Sequence, residues 1–314
     1  MTSHPSTVSN DDPSAGAAAL LIELDVPHTR DVPLGPRTWY GVGGRAEALA
    51  QPTSVQQLAA VMQRCHERAV PVRVLGSGAN LLVADDVPGV VIELSAPAFG
   101  ELRAEGATLI VGSGYDLFKL VLEAARRGLA GLEQVAGIPA TVGGAVRMNA
   151  GGAFGDIGSH VQRVRVMDWT GEVYDLPRSE LSFGYRHTNI HAPLILEAAF
   201  GLGEDDPDAL MRRVKETFFY KKTSQPMGAS SAGCAFKNPP KDAADGAGAG
   251  ALIDRAGLKG HAVGKARVSE VHANFIVAEE GAAACDVLAV IEHVQETVAQ
   301  RFGVQLEREV VVWP

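Results

Sequence analysis

Between Gly131 and Gly155 the chain reads GLEQVAGIPATVGGAVRMNAGGAFG, with seven glycines, almost no charge and a proline near the middle. Ordinary surface loops are more polar. Glycine lets the backbone adopt angles and approaches that a Cβ forbids, so such a run can close around a flat or phosphorylated molecule and meet it with main-chain N–H groups. A tight crossing between packed elements would use the same residues. The rest of the chain is therefore read for groups that would complete a ligand site around this run.

A chain of 314 residues, 46% of them hydrophobic, can bury more than one core and is expected to form two or three domains. The 37 acidic and 28 basic side chains give a net charge of -9, which argues against a nucleic-acid-binding surface. No window approaches the roughly 18 uninterrupted apolar residues that a membrane span needs. The N-terminal MTSHPSTVSNDDPSAG lacks the basic start and apolar run of a secretory signal, so a cytoplasmic protein is expected. Three cysteines, Cys65, Cys234 and Cys285, are an odd number without metal-ligand spacing, and the nine histidines are scattered singly. Neither a disulfide framework nor a metal site follows from them.

Taken in order, residues 1–17 have the composition of a disordered leader, 18–98 and 99–205 form two units, and 206–314 a third. Ser54 with Gln57 suggests a capping box, and Val55, Leu58, Val61, Met62 and Cys65 follow at helical spacing, which puts Cys65 in a core. Strands are predicted at Val72–Leu75 and Val90–Leu94, with the loop Gly76-Ser77-Gly78-Ala79-Asn80 after the first. That loop lacks a third glycine and opens no helix, so a Rossmann site is not expected, although anion cradling by its N–H groups is. The next unit has a strand at Thr108–Val111, a helix from Asp116 to Arg127 stopped by Gly128, and a hairpin about Thr170-Gly171. Pro207 suits the first position of a further helix. GAGAGALIDRAG resembles a phosphate loop but follows no strand, and is read as a flexible loop. A helix from Ala283 to Arg301 carries Cys285 in its first turn, in a structural role. The last strand, Val304–Val312, places Glu307 and Glu309 on one face within an apolar run. The class is α+β.

Several separated motifs, in order, carry a resemblance. They are GVGGRA, GSGANLLV, GLE-VAGIPATVGGAV-MNAGG, FGYR, SAGCAFKNP, AG-LIDRAGLKG, HANFIV and LEREV, spread over residues 30–314. Together they resemble the UDP-N-acetylenolpyruvoylglucosamine reductases, flavoenzymes of bacterial cell-wall precursor synthesis. The resemblance implies a two-part FAD-binding fold of the vanillyl-alcohol oxidase type followed by a C-terminal α/β substrate-binding domain. It implies FAD, NADPH as hydride donor and a sugar-nucleotide substrate. The short stretch between Arg186 and Lys222 matches the subtype without a tyrosine lid, and the absence of histidine between Gly76 and Leu82 implies dissociable FAD. Oligomeric state is left open, with a monomer favoured.

By the same resemblance, Gly76, Ser77, Gly78, Ala79, Asn80 and Leu81 face the FAD from one side. Gly137, Ile138, Pro139, Thr141, Gly143, Gly144, Ala145, Asn149, Ala150 and Gly151 face it from the other. The reaction adds a hydride and then a proton to an enolpyruvyl group, so the site must stabilise an enolate and deliver one proton. Arg186 would grip the carboxylate, Glu309 would polarise the enolate, and Cys234 would give the proton from a position where the family usually has serine. Neighbouring Arg186 and Lys237 would lower the thiol's pKa. Tyr185, Lys222, Lys237 and Asn238 are the substrate-binding candidates. An FAD-dependent oxidase of the same fold, and a non-catalytic flavin-binding protein, remain open as alternatives.

Overall fold

The computed structural model describes residues 16–314, so the leader expected at the N-terminus lies, for residues 1–15, outside the described residues. Ala17, at the end of that expected leader, already opens the helix Ala17–Glu23 and is buried.

The first sheet has four strands in the order His28–Pro33, Arg45–Ala50, Val87–Glu93, Val72–Leu75. The first pair is antiparallel and the other two are parallel. The helix Val55–Glu67 covers it with Leu58, Val61, Met62 and Cys65, the face that the helical spacing predicts. Ser54 caps this helix by accepting from Gln57 N, but the Gln57 side chain reaches past Ser54 to Thr53 N, at 2.8 Å. The reciprocal half of the capping box is thus displaced by one residue.

The second sheet is antiparallel, with five strands in the order Val173–Pro177, Val161–Met167, Leu194–Gly201, Thr108–Gly112, Leu102–Glu105. Its core includes Leu117, Leu120, Val121 and Ala124 of the helix Leu117–Arg126, which Gly128 ends at φ 72°. Leu210 and Val214 of the helix Pro207–Ser224 lie in the same core, although sequence order groups that helix with the C-terminal segment.

A third core forms between the small antiparallel sheet Ala262–Val263, Ala266–Val268, Ile276–Ala278 and the helix Ala284–Phe302. GAGAGALIDRAG is not a loop throughout: Ala249–Arg255 is a helix that buries Ala249, Leu252 and Ile253 in this core. Apolar residues at i, i+3 and i+4 outweigh the glycines there. Cys65 is buried, whereas Cys285 is exposed in its first turn, contrary to the expected structural role.

One pairing fastens the end of the chain to the first unit: Val311–Trp313 runs parallel to Leu81–Val83, the strand that leaves the GSGAN loop. The expected strand over residues 304–312 is confined to these last residues.

Candidate active site

The two glycine-rich stretches face each other. Gly78 sits at φ 66°, and a Cβ there would lie 2.1 Å from the Arg37 carbonyl oxygen, so the loop can follow this path only with glycine. Opposite, Thr141 caps the helix Val142–Arg147 by accepting from Gly144 N at 3.3 Å. A Cβ on Gly76 would come within 3.0 Å of that same Thr141 hydroxyl oxygen, which makes Gly76 and Thr141 the point where the walls meet. Gly143 backs onto Ser113, whose hydroxyl is buried without a partner.

Of the expected cofactor residues, Gly76, Ser77, Ala79, Asn80, Gly137, Ile138, Pro139, Thr141, Gly143 and Gly144 stay open to solvent at least in part. Gly78, Leu81, Ala145, Asn149, Ala150 and Gly151 are buried and support the walls from behind. Asn149 departs most from expectation. At φ 44°, it accepts from Gly158 N at 2.9 Å and donates to the Gly184 carbonyl at 2.8 Å. Its side chain ties the glycine-rich run to the FGYR turn. A cleft lined by glycines, with cap and main-chain donors and an unpartnered buried hydroxyl, fits a dinucleotide such as FAD.

Arg186 lies in the turn between Phe183–Gly184 and His187–Thr188, at φ 54°. A non-glycine residue in this region is strained and needs surroundings that hold it there. Glu309 supplies them: Arg186 Nε donates to Glu309 Oε1 at 2.5 Å, and the two side chains are only 17% and 10% exposed. Glu309 is itself fixed through its backbone. Its N–H donates to the Ala235 carbonyl at 2.8 Å, and its carbonyl accepts from Asn80 Nδ2 at 3.0 Å. Asn80, expected to serve only the cofactor, therefore also positions the carboxylate.

Cys234 begins the extended segment that runs beside Glu309. Ala235 N donates to the Asn274 carbonyl at 2.7 Å, Phe236 bridges Arg308, and Lys237 N donates to the Glu307 carbonyl at 2.9 Å. Burial, and then the Glu309 charge, push the Cys234 thiol up to about 12, against the opposing pull of Arg186. The expected lowering does not occur, because desolvation of a thiolate outweighs one guanidinium already paired with a carboxylate. Lys237 is spent on Glu307, at 2.5 Å. Burial also raises Glu309, again against Arg186.

Glu307 and Glu309 do not share a face. The Glu307 side chain is 72% exposed, because this part of the segment does not keep strand alternation. Lys222 likewise faces solvent, while its neighbour Lys221 is 6% exposed, with its ammonium buried and unpartnered. The Lys221 stem lies along the glycine-rich run: a Cβ on Gly137 would stand 3.4 Å from its Cδ, and one on Gly152 4.0 Å from its Cε. Burial and the charge of Arg186 bring Lys221 down to about 8. The sequence held this signal, since Leu210, Val214, Thr217 and Lys221 recur on the buried face at helical spacing.

Tyr185 is exposed, stacks near Arg186, and accepts from Asn238 N at 3.2 Å. Asn238 Oδ1 accepts from Ala249 N at 3.0 Å and so holds the start of the helix Ala249–Arg255. The cluster of Arg186, Lys221 and Glu309 has two cations and one carboxylate, an imbalance suited to an anionic ligand. Beside it stands a neutral thiol that can give up a proton.

Residues 46–177 match an FAD-binding domain family, and residues 225–313 match the C-terminal domain of UDP-N-acetylenolpyruvoylglucosamine reductase. The chain is 43% identical to the UDP-N-acetylenolpyruvoylglucosamine reductase of Desulfosudis oleivorans, over 90% of this chain and 93% of that protein. It is 36% identical to that of Bacillus subtilis, over 89% and 92% respectively. The crystal structure of the Thermus caldophilus enzyme superposes with a TM-score of 0.77 at 40% identity, covering 92% of this chain and 99% of that one.

Proposed function

The chain belongs to the UDP-N-acetylenolpyruvoylglucosamine reductase family, and from that premise we propose how its own residues carry out the reaction. It is an FAD-dependent oxidoreductase that uses NADPH to convert UDP-N-acetylglucosamine enolpyruvate to UDP-N-acetylmuramate in peptidoglycan precursor synthesis. The walls at Gly76–Asn80 and Gly137–Gly144 would hold FAD, which when bound would supply the hydride for the terminal enolpyruvyl carbon.

Hydride addition leaves negative charge on the α-carbon and its carboxylate. Arg186 and Lys221 face that charge, and Glu309 fixes the guanidinium through the 2.5 Å bond. The Cys234 S–H bond then breaks, a C–H bond forms at the α-carbon, and the charge passes to sulfur until water returns a proton. An acid must hold its proton until this moment, and the half-buried Cys234 thiol, pushed up by desolvation to about 12, does so at neutral pH. The observation that carries the reading is the convergence of this protonated thiol with the Arg186–Glu309 pair. Tyr185, Lys237 and Asn238 would border the sugar nucleotide.

We further propose a monomeric, cytoplasmic enzyme, the compartment being that of its nucleotide substrates. Among the described residues no helix is long and apolar enough to cross a membrane. The functional reading is tested anaerobically: NADPH should bleach the flavin and the enolpyruvyl sugar nucleotide should restore its colour. Restoration by oxygen alone would make the protein an oxidase.

A further inference from the structure

The hairpin that carries Arg186 is too small to hold itself. Only two residue pairs join it, Phe183 with Thr188 and Gly184 with His187, and an isolated two-stranded hairpin is marginal in water at best. Arg186 at its tip sits at φ 54°, a conformation that a non-glycine residue keeps only where its surroundings fix it. On the side away from Glu309, the fixings come from the glycine-rich run, at the end of the helix Val142–Arg147.

Arg147 contributes most. It is partly buried, and its guanidinium donates to the carbonyls of Ile190 and Ala192 and, at 3.2 Å, to that of Pro193. These belong to the irregular segment that leads from the hairpin into the strand Leu194–Gly201. Ile190 and Ala192 lie in the core of the second sheet, where main-chain acceptors outside a ladder need donors. In the hairpin's second strand, Thr188 Oγ1 donates to the Arg147 carbonyl at 3.3 Å, and in its first the Gly184 carbonyl accepts from Asn149 Nδ2 at 2.8 Å. Residues 147–149 thus hold both strands and the chain that follows them. Arg147 meets no carboxylate among the described residues, and burial brings its guanidinium below the ordinary value. A partly buried cation without a counter-charge is costly to keep, and no ion pair accounts for this one. Its five donors in a fixed fork do suit three carbonyls, which a lysine ammonium could not span in the same way.

We propose that Arg147 is a positioning residue for recognition of the substrate carboxylate: it fixes the hairpin to the cofactor wall so that the Arg186 guanidinium stands where the carboxylate binds. The inference rests on the reading of Arg186 as the carboxylate clamp. The Arg147 guanidinium is committed to main-chain carbonyls, so it acts through Arg186 and not on the ligand. The short helix that offers Thr141, Gly143 and Gly144 to the cofactor at its start holds the clamp at its end, and the two sites share one rigid piece.

Arg147→Lys keeps the charge and loses the fork. Binding of two sugar nucleotides to the oxidised holoenzyme is measured by isothermal titration calorimetry: UDP-N-acetylmuramate, the product, which carries the carboxylate, and UDP-N-acetylglucosamine, which lacks it. Affinity for the first should fall about tenfold and for the second change by less than about twofold, as expected when a charge-assisted hydrogen bond to the carboxylate is misplaced. Arg186→Ala should show the same selectivity with a larger loss, and adding Arg147→Lys to it should cost nothing further. A general weakening of the fold would instead lower both affinities together. Equal losses for the two ligands, no loss for either, or a full additional loss in the double variant would overturn the proposal and leave the reading of Arg186 intact. Normal binding of both ligands by Arg186→Ala would remove that reading and this inference with it. If Arg147→Lys does not fold, Thr188→Val decides: it removes one hydroxyl and should weaken UDP-N-acetylmuramate alone, by about threefold, whereas unchanged binding would overturn the proposal.

Discussion

Arg186 Nε and Glu309 Oε1 stand 2.5 Å apart although 123 positions separate them in the chain. The bond joins a strained hairpin turn to the C-terminal segment, and Asn80 pins that segment to the cofactor wall. Removing the charge while keeping the shape isolates its role. Glu309→Gln should leave flavin reduction by NADPH intact and slow the oxidative half-reaction by roughly 10²–10³-fold, the range found when one preorganised electrostatic group is lost. Stopped-flow absorbance of the two half-reactions measures both.

Lys221, at about 8, is expected to set the alkaline limb of activity, because Cys234 is pushed up to about 12. The value of kcat/KM for the sugar nucleotide should fall above about pH 8 as the ammonium loses its proton. Lys221→Arg, charged throughout, should remove this limb, whereas Lys222→Ala should leave it in place. A limb retained in Lys221→Arg would assign it elsewhere.

The same lysine affects stability without ligand. Its folded value of about 8 lies below the ordinary 10.5, so between these values the unfolded chain binds more protons, and stability should rise with pH across that window. Urea denaturation of the protein and of Lys221→Met at several pH values checks this. The slope attributable to Lys221 should vanish in the variant.

Gly78→Ala would force a Cβ to 2.1 Å from the Arg37 carbonyl and strain a φ of 66°. A loss of at least ~2 kcal/mol is expected, with reduced FAD content after purification. Equilibrium unfolding and flavin absorbance report the two effects.

What the sequence disclosed depended on the range of the interactions involved. The Ser54 cap, the Gly128 stop and the inward face of Val55–Glu67 are decided within a turn or two of chain, and local pattern finds them. The order of motifs brought Arg186, Cys234 and Glu309 into one account, but strand periodicity could not separate Glu309 from Glu307. Long-range partners do that: Arg186 for Glu309, and Lys237 for the exposed Glu307. The raised Cys234 value was equally hidden, since neighbouring basic residues are visible in a sequence and desolvation is not. Lys221 was legible, because helical spacing places it inward with Val214 and Thr217, but the motif match pointed to Lys222 instead.

The central claim is that Cys234 delivers the proton, and single-turnover kinetics of Cys234→Ala test it most directly. NADPH should reduce the bound flavin of this variant at the wild-type rate, and reoxidation by the enolpyruvyl sugar nucleotide should slow by ~10²–10⁴-fold, with Cys234→Ser retaining much of it. Reoxidation of Cys234→Ala at the wild-type rate would place the proton donor elsewhere and contradict the account.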